Sequence, residues 1–185
     1  YWELISKESL DSVSAFDTES EKTTQLDFGV LHKSEQWQGS VSAFYNDIND
    51  YLLIQNSVTK PAGMMGRRSA SVTRNVDVRS WGLEADGRYM LNQHWSLSGS
   101  LAAVKGINDT DATPLAQLPP LETRIGLHYQ NLNWALGALW RFTAKQSRVD
   151  PSKGNVAGQD IGPSDGFQVL SLNALWKPNN ELAVS

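Results

Sequence analysis

Between Thr23 and Ile54, apolar and polar side chains alternate with a period of two. Leu26, Phe28 and Val30 fall on one side, and Gln25, Asp27 and Gly29 on the other. After a short turn at Ser34-Glu35-Gln36, Trp37, Gly39, Val41, Ala43 and Tyr45 share a face opposite Gln38, Ser40, Ser42 and Asn46, with Phe44 as the exception. This period predicts β-strands, here paired as a hairpin. No Gly/Pro cluster interrupts the second arm before Ile54, so it should run well beyond the roughly 5–6 residues of an ordinary strand. Long strands with one apolar face, one polar face and aromatic ends are what a transmembrane β-barrel requires.

The rest of the chain repeats the pattern. Residues 1–22 read as a loop leading into the first strand, and residues 56–71, with Pro, Gly and two arginines, as a second long loop. Over residues 72–91, Trp81, Leu83, Ala85, Gly87 and Tyr89 alternate with Ser80, Gly82, Glu84, Asp86 and Arg88. Higher on that strand, Val76 and Val78 are apolar on the polar parity, which predicts a bulge or a stretch clear of the membrane. A tight turn at Asn92-Gln93-His94 precedes Trp95, Leu97, Gly99, Leu101 and Ala103, set against Ser96, Ser98 and Ser100. Residues 106–117 read as a loop. Leu121, Thr123, Ile125, Leu127 and Tyr129 then oppose Glu122, Arg124, Gly126, His128 and Gln130, with a turn near Asn131. Leu132, Trp134, Leu136, Ala138, Trp140 and Phe142 oppose Asn133, Gly137, Arg141 and Thr143. A fourth long loop, residues 147–165, leads to Leu170, Leu172, Ala174 and Trp176, and Lys177-Pro178-Asn179-Asn180 turns toward an eighth, incomplete strand.

Long and short connections therefore alternate, as extracellular loops and periplasmic turns do in an outer-membrane barrel. The reading is all-β: antiparallel up-and-down strands, about eight, forming part of a barrel. The side chains expected to face lipid are Trp37, Val41, Tyr45, Trp81, Leu83, Trp95, Leu97, Leu101, Ile125, Leu127, Trp134, Leu136, Trp140, Phe142, Leu172 and Trp176. Those expected to face a wet lumen are Asp27, Glu84, Asp86, Arg88, Glu122, Arg124 and Arg141. In a sandwich core such charges would be costly unless paired. The competing readings are a soluble β-sandwich or lectin-like binding module, which requires Trp134, Leu136 and Trp140 to be buried, and an outer-membrane enzyme barrel, which requires a catalytic pair near the extracellular rim.

Composition changes the picture little. A net charge of −4 offers no basic field for nucleic acid. Tryptophan, at 7, exceeds phenylalanine and tyrosine at 5 each, a skew suited to interfacial girdles. There is no cysteine, hence no disulfide framework. No run of about 18 apolar residues exists, and the mean hydropathy of −0.39 is compatible with strands that show only half their residues to lipid. The chain starts at Tyr1-Trp2-Glu3 without an initiator Met and stops within a strand pattern at Glu181–Ser185, so it is expected to be a piece of a larger protein.

EKTTQLDFGV followed by VSAFYNDINDYLLI resembles the late-barrel region of TonB-dependent outer-membrane receptors. RNVDVRSWGLEADGRYML, and LAQLPPLETRIGLHYQNLNWALGALWRFTAKQSRVDPSKGNVAGQD, resemble the copper-receptor branch of that family, from about Glu21 onward. The resemblance implies a barrel of roughly 22 strands filled by an N-terminal plug, with this chain supplying roughly strands 14 to 21. It places the whole protein in the bacterial outer membrane, in lipid and lipopolysaccharide. Its partners would be its own plug and, through the plug, the inner-membrane TonB complex; neither plug nor closing strand lies in residues 1–185. It implies active transport, of copper or, in the wider superfamily, of an iron–siderophore complex. The metal ligands of the copper branch belong to the plug and an earlier part of the barrel, so none is carried over here.

Met64 and Met65 are the candidate metal ligands, because a thioether suits Cu(I). Against this, adjacent side chains in an extended loop point apart, and the loop holds no His or Cys. No other cofactor is expected. His32, His94 and His128 are scattered, the first on the apolar stripe, the second in a turn, the third on the polar face. Arg67, Arg68 and Arg74 could attract an anion or a lipopolysaccharide phosphate, but solvated loop charges are the competing reading. Asp109 and Asp111 lack the further oxygen ligands of a calcium loop. No catalytic motif is present.

Overall fold

The computed structural model describes residues 18–61, 66–155 and 158–177. These form the strands β1 (Lys22–Lys33), β2 (Trp37–Pro61), β3 (Arg67–Met90), β4 (Trp95–Asn108), β5 (Thr113–Pro114), β6 (Glu122–Gln130), β7 (Trp134–Thr143), β8 (Lys153–Asn155), β9 (Gly158–Gln159) and β10 (Phe167–Trp176). The seven long strands pair antiparallel in chain order, β1–β2–β3–β4–β6–β7–β10. Among the described residues β1 and β10 each pair on one side only, so the sheet is an unclosed section of barrel wall.

Side-chain hydrogen bonds shape the three turns at one end. Ser34 Oγ donates to the Trp37 carbonyl at 2.8 Å. Asn92 Oδ1 accepts from the His94 and Trp95 amides, both at 2.9 Å. Asn131 Oδ1 accepts from Asn133 N at 2.9 Å and Trp134 N at 2.7 Å. These Asx-type turns let two or three residues reverse the chain.

The sheet is a single layer. Trp134, Leu136 and Trp140 keep 42%, 39% and 40% of their surface exposed, which removes the soluble-sandwich reading. Phe44, the misfit of its strand, sits opposite Gly82 on the polar face. A Cβ at position 82 would lie 2.5 Å from the Phe44 ring, so glycine makes the room that the ring fills.

Two expectations need correction. Most of the loop expected at 56–71 is strand: β2 continues to Pro61 and β3 starts at Arg67, with Val58, Thr59 and Ser69 paired. Residues 62–65, with Met64 and Met65 among them, lie outside the described residues. The parity break at Val76 and Val78 is not a bulge in their own strand. The bulges are in β2, between Ile48 and Tyr51 and between Gln55 and Val58, where Asp50 (φ 60°) and Ser57 (φ 61°) adopt left-handed backbone. The first of them flips the parity of β2, so Tyr51 and Leu53 join Val76 and Val78 on the polar face.

There they form a small core. Leu53, Val76, Val78 and Leu115 are buried together, with Ile48, Tyr51 and Leu118 packed against them. Leu115 and Leu118 come from the β4–β6 connection, which folds over that face. Residues 144–166 leave β7 and reach β2, four strands away and so roughly 19 Å across the sheet. There β8 pairs with β2 through Ile54↔Gly154 and Gln55↔Lys153, beyond the last β1 partner, Lys22↔Asn49. The segment is a strap across one end of the wall.

Candidate functional site

The register converts the alternation into two surfaces, because directly opposite residues in an antiparallel pair point the same way. One surface is built of apolar rows. Trp37, Tyr89, Leu97, Leu127, Ala138 and Leu172 form one. Val41, Ala85, Leu101, Thr123 and Phe142 form another. Ile125 and Trp140 are partners, as are Leu83 and Ala103. Aromatics gather at both ends. Trp95 packs on Tyr129 at 4.9 Å between ring centroids, and Trp134 on Trp176 at 5.8 Å. His32 continues the apolar stripe, stacked on Trp37 at 4.6 Å. At the far end Tyr45, Trp81 and Lys105 share a row.

The opposite surface carries the charges. Ser40, Asp86, Ser100, Arg124 and Arg141 lie in one row, and Ser42, Glu84, Ala102, Glu122 and Thr143 in the next. Asp27 falls opposite Phe44 on the same face. Ser40 donates to Asp86, Arg124 pairs with Glu122 at 2.6 Å, and Arg88 donates to Ser96 Oγ at 3.0 Å. His128 lies 3.2 Å from Ser98 Oγ. Within the paired strands the two parities separate onto opposite sides of the sheet.

Beyond the wall, an ion-pair cluster fastens the strap. Lys153 Nζ lies 2.7 Å from Asp150 and 3.1 Å from Asp111, with its side chain only 9% exposed. Arg74 approaches the same Asp111 at 2.5 Å. The Arg74 hydrogen bond, helped by Lys153, holds the Asp111 carboxyl below the usual carboxylate range despite burial. Burial pushes Asp150 up, but the Lys153 and Ser152 contacts outweigh it and its pKa is lowered. Burial likewise pushes Lys153 down, and its two aspartates reverse this into a net rise. Asp160 is buried and accepts from the amides of Gln117 and Asp150, both at 3.1 Å, and of Gly162 at 2.8 Å. Asn155 Nδ2 donates to Tyr51 Oη at 3.0 Å, tying strap to ribbon.

Arg74, Asp109 and Asp111 are therefore structural. Arg74 is ion-paired rather than solvated. Asp109 meets Arg79 at 2.5 Å and Asp111 meets two cations, so both carboxylates are already neutralised and neither heads a calcium loop. Sequence reasoning missed Lys153 and Asp160. The Asp150-to-Lys153 spacing was the one local cue, and it does not reveal contacts with residues some 40 positions away. Among the described residues no group of three or more His, Cys, Asp or Glu could hold a metal.

Comparison with known proteins gives one family and several structures. The family model described as "TonB dependent receptor-like, beta-barrel" matches residues 10–185. A solved structure of the copper transporter OprC is similar at 39% identity and a TM-score of 0.83, covering 99% of this chain and 27% of that one. The FrpB iron transporter of Neisseria meningitidis is similar at 19% identity and a TM-score of 0.61, over 89% of this chain and 26% of that one. The ferric enterobactin receptor PfeA of Pseudomonas aeruginosa gives 14%, a TM-score of 0.67, and 90% and 25% coverage. The last two likenesses carry the fold alone. The chain thus spans about a quarter of the length of the proteins it resembles. Comparison with curated proteins gave no match.

Proposed function

Because the chain belongs to the TonB-dependent receptor β-barrel family, we propose that it is a section of the barrel wall of an outer-membrane active transporter for copper. The observation that carries the copper assignment is the 39% identity to a copper transporter over 99% of the chain. The two iron-receptor likenesses fall below the identity at which substrate could be argued.

In this reading the apolar rows face lipid and lipopolysaccharide. The dimensions support it. Trp95 and Lys105 stand ten residues apart on β4. At about 3.3 Å per residue this is roughly 33 Å of strand. A tilt near 45° makes it about 23 Å of height, against an apolar band of roughly 25 Å in outer-membrane barrels. Lys105 then sits at the outer interface beside Trp81 and Tyr45, and the turns at Ser34, Asn92 and Asn131 lie on the periplasmic side. The polar rows line the lumen and meet the plug of the whole protein, on which the TonB complex acts. The capped upper ribbon stands above the membrane, where substrate arrives. Met64 and Met65 are, in this reading, the soft donors of the chain for Cu(I). The wall itself does no bond chemistry: it excludes lipid from the lumen and holds the loops in place.

The test is copper accumulation by cells expressing the full-length protein, against cells lacking it, with and without the energised TonB system. Uptake of copper that needs TonB is expected. Uptake of a ferric siderophore without any copper uptake would overturn the substrate.

A further inference from the structure

The wall opens beside the upper part of β4. The β4–β6 pairing ends at Ala102↔Glu122 and the β6–β7 pairing at Glu122↔Thr143, whereas β4 runs on to Asn108. The chain that enters β6 passes through Pro119 and Pro120, which have no amide hydrogen to offer β4. A recess of about 220 Å³ lies in this gap, lined by Leu118, Pro119, Pro120, Lys105, Lys145 and Arg148 among others. No Asp or Glu lines it.

The charge here is unbalanced. Elsewhere in the cap the cations have acid partners: Arg74 and Lys153 share Asp111, and Arg79 meets Asp109 at 2.5 Å. At the recess they do not. Lys105 forms no ion pair among the described residues. The Arg148 guanidinium reaches the Gly106 carbonyl at 3.5 Å, a long contact with a neutral acceptor. Lys145 stands 3.8 Å from Asp165, with side chains 66% and 95% exposed, and such a pair contributes little. Three positive charges therefore converge on an apolar recess that holds no negative one.

Two lining residues belong to the apolar face of the sheet. Lys105 shares a row with Tyr45 and Trp81, and Ala103 pairs with Leu83. The recess is thus continuous with the upper edge of that face. A matching ligand carries anionic oxygens at one end and hydrocarbon at the other. The planar Arg fork suits two oxygens of a phosphate, and lysines add point charge.

We propose that this recess binds a phosphate of an outer-leaflet phosphoglycolipid, lipopolysaccharide, whose acyl chains lie along Leu83 and Leu101 below it. The proposal rests on the barrel-wall reading above, which sets Lys105 at the outer interface. A free phosphate ion would meet the charges but has nothing to set against Trp81, Leu83 and the prolines. Arg74, one of the arginines that the sequence offered for such a phosphate, is already neutralised by Asp111.

The test uses the full-length receptor in detergent, with bound lipid counted by native mass spectrometry as lipopolysaccharide is titrated. The triple substitution Lys105→Gln, Lys145→Gln, Arg148→Gln should weaken binding by about tenfold, from the lost charge-assisted contacts. Lys105→Arg should retain it. Lys33→Gln, at the far end of β1 beside a tight turn, should leave it unchanged. Dephosphorylated lipopolysaccharide should bind weakly and equally to the unaltered receptor and the triple variant. Unchanged binding of lipopolysaccharide by the triple variant, or an equal loss for the dephosphorylated lipid, overturns the proposal. Displacement of the lipid by an equal concentration of inorganic phosphate overturns the lipid assignment and makes the site one for free phosphate. The wall reading fails separately: a lipid-soluble photolabel that does not mark Ile125 overturns it, while the titration alone decides the recess.

Discussion

The same two strands, β2 and β3, live under opposite rules at their two ends. At the end nearer the tight turns they belong to a wall one strand thick, where Trp37, Val41 and Leu83 remain exposed. Above it they carry Leu53, Val76 and Val78, buried to 1%, 3% and 0% exposure by loops of the same chain. The apolar side chains change faces between the two halves: below they stand on the uncovered side of the sheet, and above they turn to the side that the protein's own loops cover.

Substitutions can separate the halves. The largest effect is expected from Leu53→Ala, which empties the cap core at about 3 kcal/mol. Amide exchange over Thr73–Val78 should rise steeply while the wall below Ser80 is unchanged; equal loosening of both would break the comparison. Next comes Ile125→Arg on the apolar face, about 2–3 kcal/mol by its depth in the lipid band. Ser98→Arg on the opposite face should cost far less. Folding titrations into lipid vesicles measure both, and equal costs would sink the assignment of faces.

Acid should act on the cap alone. Asp111 and Asp150 have folded pKa values below the ordinary 3.8. Their contribution is therefore fully present above that value and is lost as pH falls through the depressed folded values. Lys153 has the opposite sign: its raised pKa gives stability present below the ordinary 10.5 and lost only as pH rises through the folded value. Protease nicking of the strap, followed against pH, should show protection across the neutral range and loosening below about pH 4. Smallest is Asn131→Ala, which removes two side-chain-to-amide bonds in the tight turn between β6 and β7 at about 1 kcal/mol. It should lower the refolding midpoint slightly and leave strap exchange untouched.

How much of this could be read from the residues also divides between wall and cap. In the wall, a period of two together with one oily face makes each residue's side of the sheet a local property, so Trp81 and Glu84 are assigned without knowing their partners. In the cap, direction depends on events elsewhere. Val76 and Val78 keep the parity of their own strand, and it is the extra residue in β2 near Asp50 that brings Leu53 to meet them. Lys153 and Asp160 were invisible because their partners, Asp111 and Gln117, lie in another connection. Residues 56–71 read as loop because Gly, Pro and Met dominate the stretch, whereas the paired Val58 and Ser69 beside them carry a weaker signal. That Arg141 stands opposite Arg124 needed the register of β6 and β7.

The pairing of Ile54 with Gly154 also bears on when the molecule becomes complete. Wall contacts join strands that follow one another, so each can zip as soon as its hairpin exists. The strap instead closes a span of a hundred residues, which costs about 2 kcal/mol more chain entropy than a ten-residue hairpin, and long-range closure of this kind is slow. On that argument its fastening is the slowest contact of the fold, so during assembly an unfastened strap is the expected mark of a wall still being built.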